Sequence, residues 1–492
     1  MGRYELLKVT PFGFIFELER DTFYFAEEVA IYLNGSFYRM ANTNVISLFG
    51  LECDTVYDVK AGNVSFSVKT HKPEYVINVK DYNYAINMAI YTAPVGSVVY
   101  IPKGEYIVEQ ILLISGVDIY LERGAVLRQS IDRDKLAIIK GYQKNYDHSQ
   151  VSINASWEGH PLDCYASLIY GKDIENVHIY GEGIIDGSGD IGGFWINPKV
   201  KNKAFRPKNI LLVNCKNIEI SGLTSMNSAS WNIHPFYCEK LAFRGLTIKS
   251  DANSPNTDGI NPESCIDVQI IGCHFDVGDD CIAIKAGKYY MSVAHYKPSR
   301  DIVVRNCLMM NGHGGVVIGS EMSCGVYNVL VTKCLFMNTD RGLRIKTRRG
   351  RGKTAIVDGI KFEDVQMDSV KHCFVINMFY NCDPDGKSEY VRSKDFHEKD
   401  ELTPTVRNIS FTGIKASDIK GSGVFIYGLP ENPVSNIRIT GNLFEFSDER
   451  VTECPAMMDD FEPVENLGFY IKNSRPVVFD DNEIIGDCET VM

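Results

Sequence analysis

Asp301-Ile302-Val303-Val304-Arg305-Asn306 and Asn328-Val329-Leu330-Val331-Thr332 state one pattern twice: a polar residue, then an alternating run rich in β-branched side chains. The pattern occurs earlier in Asn176-Val177-His178-Ile179-Tyr180-Gly181, Asn217-Ile218-Glu219-Ile220-Ser221-Gly222 and Asp267-Val268-Gln269-Ile270-Ile271-Gly272. It continues in Gly359-Ile360-Lys361-Phe362, Asn408-Ile409-Ser410-Phe411-Thr412-Gly413 and Asn436-Ile437-Arg438-Ile439-Thr440-Gly441. A period of two is that of strands. Counted from Val268, the runs restart after 34, 27, 31, 49 and 28 residues. The shortest spacing stays near one value while insertions lengthen some repeats, which marks a solenoid. The pattern therefore predicts an all-β chain built on a right-handed parallel β-helix. Its coils stack about 4.8 Å apart, so residues one coil apart in sequence lie side by side in space. The long stretches 142–165, 286–300 and 380–405 read as loops projecting from one flank.

Residues 1–78 carry shorter alternating runs between turn residues, among them Gly13-Phe14-Ile15-Phe16-Glu17-Leu18 and Val64-Ser65-Phe66-Ser67-Val68. They predict a small β-sandwich ahead of a β-helical domain over 79–492. Leu51-Glu52-Cys53-Asp54-Thr55-Val56-Tyr57-Asp58-Val59 resembles the fibronectin type III segment that carries a tyrosine corner. Ala85-Ile86-Asn87-Met88-Ala89-Ile90 reads as a short helix plugging the end of the solenoid.

The 492 residues have a formal charge of −12, with 45% hydrophobic and 23% charged residues. That balance argues against a nucleic-acid partner and requires any anion site to be local. Fourteen cysteines are spread through the chain, several at apolar strand positions. They read as buried small hydrophobes of a reducing, cytoplasmic compartment, and no CxxC pair suggests a metal. No apolar run is long enough to span a bilayer. No cofactor is implied.

The chemistry gathers between residues 256 and 346. Asn256-Thr257-Asp258-Gly259 is followed by Gly278-Asp279-Asp280-Cys281, then Gly312-His313-Gly314, then Arg344-Ile345-Lys346. Asp258 and Asp280 are 22 residues apart, Asp279 and His313 34, and His313 and Arg344 31, each about one coil. All can line one groove. A regular strand sends Asp279 and Asp280 to opposite faces; Gly278 offers a bend that lets both face solvent. Three neighbouring carboxylates cannot all ionise cheaply, so one retains a proton near the working pH. Seven cations follow within 13 residues, Arg341, Arg344, Lys346, Arg348, Arg349, Arg351 and Lys353. In an acidic chain they read as local carboxylate binders.

These four motifs, in this order on a β-helical repeat, resemble the polygalacturonases of glycoside hydrolase family 28 over roughly residues 80–490. The resemblance implies an inverting hydrolase of α-1,4-galacturonosidic bonds. It implies Asp279 as general acid, Asp258 and Asp280 as the pair that activates water, and His313 as the residue tuning the acid. Arg344 and Lys346 would bind the galacturonate carboxylate, with Tyr380 as a further substrate contact and Arg348 beside them. Trp157, Trp231 and His234 either touch sugar rings or pack in the core. The Trp157-Glu158-Gly159 stretch, the extra arginines and the N-terminal segment resemble exo-acting bacterial members. Rival readings are endo action, cleavage of rhamnogalacturonan or xylogalacturonan, a β-helical pectate lyase, and a non-catalytic pectin-binding solenoid. Oligomeric state is not legible.

Overall fold

A computed structural model describes residues 3–20, 27–146, 151–465 and 467–491. Three parallel sheets wind into a β-helix. One has thirteen strands, running from Tyr75–Asn78 to Val477–Asp480, and a second has twelve, from Gly104–Val108 to Glu483–Ile485. The third is divided into four strands, ending at Ile233–Phe236, and seven, beginning at Ile282–Ile284. Because Tyr75–Asn78 pairs in parallel with Ser97–Ile101, the first rung of the solenoid begins before residue 79.

The polar residue that opens each repeat has a backbone reason. Asn176, Asn217, Asp267, Asp301, Asn328, Gly359, Asn408 and Asn436 all have positive φ, between 53° and 75°. Asn, Asp and Gly are the residues that enter this left-handed region at least cost. Their side chains also stack between coils: the Asn217 amide donates to Asn176 at 2.7 Å, and that of Asn328 to Asp301 at 3.0 Å. The alternating run then points one set of side chains inward. Ile220, Phe243, Ile270, Val304, Val331, Phe362, Phe411 and Ile439 are successive register partners. All are buried in the main core.

The helix Ile86–Thr92 closes the N-terminal end, burying Ile86, Ala89 and Ile90. Ahead of the solenoid lie two antiparallel sheets of three and four strands, a small sandwich. The Tyr57 hydroxyl accepts from the Glu52 amide at 2.9 Å, the bond of a tyrosine corner. The sandwich packs on the outer face of the thirteen-stranded sheet, with Ile15 and Phe49 against Tyr120, Tyr180 and Ile271. Arg305 and Asn306 both donate to Glu17, each at 2.6 Å.

All fourteen cysteines are free thiols, ten of them buried. Several stack at the same corner of successive coils, as where the Cys273 amide donates to Cys307 Sγ at 3.4 Å. Among the described residues no helix is long and apolar enough to cross a membrane.

Phe374 stacks on Phe411 at 3.8 Å and meets Phe362 and Phe444 edge-on. Truncating so large a core side chain leaves a cavity, so Phe374→Ala should lower stability by about 3–5 kcal/mol in denaturant unfolding. A loss below about 1 kcal/mol would mean that the aromatic stack does not hold these coils together.

Candidate active site

The third sheet breaks where the acids gather. Between its two parts, the coil carrying Asp258 is joined only by isolated bridges, Ile260 to Ile233 and Ile282, and Glu263 to Phe236 and Lys285. Pro262, between Asn261 and Glu263, has no amide to give to a ladder. The next coil brings Asp279 and Asp280, the one after it His313, and the following strand Arg344 and Lys346. Arg344 and Lys346 share a face, as alternate strand residues must. Asp258, Asp279, Asp280, His313, Arg344 and Lys346 line one cavity of about 270 Å³, with Tyr380 at its edge.

Asp279 and Asp280 do not both face solvent. The Asp279 side chain is 22% exposed and that of Asp280 only 2%. Gly278 is needed for closeness: a Cβ there would come within 2.5–2.6 Å of the Ser254 and Asp251 carbonyl oxygens. The Asp280 carboxylate accepts from Lys346 Nζ at 2.8 Å, and Arg344 stands 3.7 Å away. His313 Nδ1 lies 3.4 Å from Asp279 Oδ1, and the Asn261 amide donates to Asp258 at 2.8 Å.

These contacts divide the cluster electrostatically. Burial first, then the charges of Asp279 and Asp280, pushes Asp258 up to about 8. Burial also acts to raise Asp279. The His313 hydrogen bond and the charges of His313, Lys346 and Arg344 outweigh it and hold Asp279 down to about 2. His313 is raised in return, chiefly by its hydrogen bond to Asp279. The balance therefore favours the proton on Asp258, which burial and the neighbouring carboxylates raise more than Lys285 and the Asn261 amide lower it, over Asp279, which faces His313, Lys346 and Arg344. Titration belongs to the group as a whole.

Most of the basic run is used internally. Arg348 is fully buried; it donates to both oxygens of Asp385 at 2.8 Å, to Asp383 at 3.1 Å and to the Tyr380 carbonyl at 3.3 Å. Arg349 grips Glu431, Arg351 reaches Asp383, and Lys353 pairs with Glu401. The run thus fastens 380–405 to the solenoid, and Arg348 is a support of Tyr380 and not a group offered to substrate. Tyr380 itself is nearly buried, its ring 5.7 Å from Lys346 Nζ.

His234 and Trp157 also lie behind the surface. His234 is wholly buried and bonded to Glu263 at 2.9 Å. Trp157 stacks on Phe205 at 5.0 Å, with the buried Lys208 ammonium 5.0 Å from its ring. Trp231, like Tyr380, borders the cavity, with the Lys285 ammonium 4.7 Å from its ring. The sequence reading missed Lys285, Glu321 and Asn261. Lys285 had a signal: it ends Ile282-Ala283-Ile284-Lys285 as Lys346 ends its own strand. Among the described residues no group of three His, Cys, Asp or Glu is disposed to hold a metal ion.

Two measurements check this arrangement. Arg348→Met removes the buried guanidinium that ties Asp383, Asp385 and the Tyr380 carbonyl together, while Asp383 keeps Lys288 and Arg351. It should therefore cost about 1–3 kcal/mol and open 380–405 to proteolysis. Unchanged proteolysis with only a raised KM would instead make Arg348 a substrate ligand. Asp258 binds a proton in the folded state up to about 8, against an ordinary value of 3.8. Stability is therefore lost as pH rises through that window. Asp258→Asn should be more stable than wild type at pH 8, by on the order of 1–3 kcal/mol, with the gain vanishing toward pH 4. A gain independent of pH would remove the buried proton from Asp258.

The sequence model described as glycosyl hydrolases family 28 matches residues 149–400. A protein described as probable polygalacturonase from Vitis vinifera is 31% identical over 372 residues, covering 74% of this chain and 70% of that one. The hyperthermoactive exopolygalacturonase from Thermotoga maritima superposes with a TM-score of 0.65 at 27% identity, over 80% of this chain and 95% of that one. The family 28 exopolygalacturonase of Yersinia enterocolitica shares the fold at 17% identity, with a TM-score of 0.69 over 100% of this chain and 97% of that one. Three clustered aspartates on a parallel β-helix and the match across half the chain agree: this chain belongs to glycosyl hydrolases family 28 and is a glycoside hydrolase.

Proposed function

We infer that the enzyme hydrolyses α-1,4-galacturonosidic bonds of pectin-derived oligogalacturonates, with inversion and from a chain end. The observation that carries this reading is the shared cavity in which three aspartates meet Arg344 and Lys346. An acid–base pair accounts for glycoside hydrolysis, and a cationic pair accounts for a sugar bearing a carboxylate. The names of the similar proteins support the same substrate.

Substrate itself sets the protonation state. A galacturonate carboxylate against Arg344 and Lys346 adds negative charge where those cations hold Asp279 down. The Asp279 carboxyl rises, and the proton that the free site keeps on Asp258 passes to it. Asp279 then gives this proton to the leaving glycosidic oxygen. A water held by Asp258 and Asp280 attacks the anomeric carbon from the opposite face, and the carboxylate pair takes the water's proton. The glycosidic bond breaks, a bond to the water oxygen forms, and the cluster ends with the one proton it began with.

Exo action is supported by the walls. Glu158, from the 142–165 insertion, and Asp383, from 380–405, both border the cavity. Asp383 is held there by Lys288 at 3.3 Å, Arg348 at 3.1 Å and Arg351 at 3.3 Å. A wall fastened this firmly suits an end-on substrate. The unpaired thiols support a reducing, cytoplasmic setting. Of the 142–165 insertion, residues 147–150 lie outside the described residues.

Asp279→Asn should cut release of reducing ends from a galacturonate trimer by at least about 10³-fold, with binding largely kept, because the amide preserves shape but has no proton to give. Near-wild-type turnover in this variant would refute the acid role. Product analysis on a defined oligomer should show saturated monomer from the outset, unchanged by chelator. Mid-length fragments would indicate endo action, and an ultraviolet-absorbing product a lyase.

A further inference from the structure

Glu321 is a buried carboxylate that the acid–base chemistry leaves unused. It follows the strand Val316–Gly319, is 6% exposed, and borders the same cavity as the three aspartates. Its Oε2 accepts from Lys285 Nζ at 3.2 Å. Burial acts to raise its carboxyl, but Lys285, Lys288, Lys346 and Arg351 outweigh that and hold it well below the usual range. Glu321 is therefore an anion throughout the working range, able to accept hydrogen bonds and unable to give a proton.

The floor beside it is built for close approach. Glu263 pairs with Lys285 and Gly319 with Lys346, while Ile284 and Ile318, the residues just before Lys285 and Gly319, pair with each other. Lys285 and Lys346 thus stand two rungs apart, about 9–10 Å, with Gly319 between them. A Cβ on Gly319 would come within 2.3 Å of the Lys346 carbonyl oxygen, and its φ of +87° suits glycine. Ser320 and Glu321, next along the chain, border the cavity together with Lys285 and Lys346.

A fixed anion in a site for an acidic sugar must face something other than the sugar's carboxylate. The donors that a uronate ring carries are its hydroxyls. We propose that Glu321, held by Lys285, is a specificity-determining residue that accepts a hydrogen bond from a ring hydroxyl of the bound galacturonate and so excludes sugars O-acetylated at that hydroxyl. This rests on the galacturonate reading above. An acetyl ester deletes the donor and leaves this acceptor with no partner on the sugar, the kind of mismatch a polar site rejects most strongly. It also adds bulk to a cavity of about 270 Å³. A hydrolase of the acetyl-ester class must then act on acetylated pectin before this enzyme can.

The test compares kcat/KM for a galacturonate trimer and for the same trimer O-acetylated at the secondary ring hydroxyls. Wild type should prefer the free trimer by about 10²-fold or more. Glu321→Ala should lower the rate on the free trimer and shrink the preference at least about tenfold. Because that variant strands the Lys285 ammonium, the double variant Lys285→Met/Glu321→Leu, which removes both charges and the acceptor, is measured beside it. Loss of preference in the double variant supports the hydroxyl contact. Retention of the wild-type preference there means that Glu321 only neutralises Lys285, and overturns the proposal. A wild-type enzyme that cleaves both trimers equally overturns this inference alone; one that leaves the free trimer intact overturns the galacturonate reading and this inference with it.

Discussion

Register between coils is the constraint on which everything else in this molecule depends. The site residues come from four consecutive coils, so a slip of one residue would turn Arg344 and Lys346 inward and Ile345 outward. The slip is opposed twice. Inward stacks such as Phe243, Ile270 and Val304 require hydrophobic partners above and below. The left-handed residue at the start of each strand adds a second lock, because Asn and Asp there bond to their counterparts on adjacent coils. The groove inherits its geometry from a core that has no chemistry of its own.

On that scaffold the site is a problem in charge placement. Three aspartates in one cavity repel, and the protein answers unequally. Asp280 receives Lys346, Asp279 receives His313, and Asp258 receives the Asn261 amide, its carboxyl raised by burial in spite of Lys285. Any negative charge set against Lys346 or Arg344 would shift this balance, because those cations help to hold Asp279 down. The protonation of each carboxyl is thus coupled to the charges set against its neighbours.

The fold was legible because its signal is local and repeated: alternation, a polar opener and a steady minimum spacing. The polar opener proved to be a backbone requirement, since only a few residue types tolerate that φ. Asp258, Asp279, Asp280, His313, Arg344 and Lys346 were legible as a set because sequence separation converts directly to distance in a solenoid. What resisted reading depends on insertions, whose course the repeat does not govern. Arg348 looked like a ligand for substrate because Asp383 and Asp385, its partners, stand 35 and 37 residues away in such an insertion. The location of the proton was likewise hidden, because it follows from which cation each carboxylate meets. Glu321 escaped notice because a single carboxylate after a glycine has no pattern.

The N-terminal sandwich has a consequence for how the molecule yields to stress. A solenoid alone is linked only rung to rung and can peel from either end. Here Arg39 pairs with Glu182, Lys8 with Glu219 and Glu17 with Arg305, so one rigid brace spans the strands from Glu175–Gly181 to Ser299–Arg305. Asp258 and Asp279 lie inside the splinted stretch, while Arg344, Lys346 and Tyr380 lie beyond it. Thermal breathing should therefore be lopsided, with the coils of Arg344, Lys346 and Tyr380 moving more than those of Asp258 and Asp279.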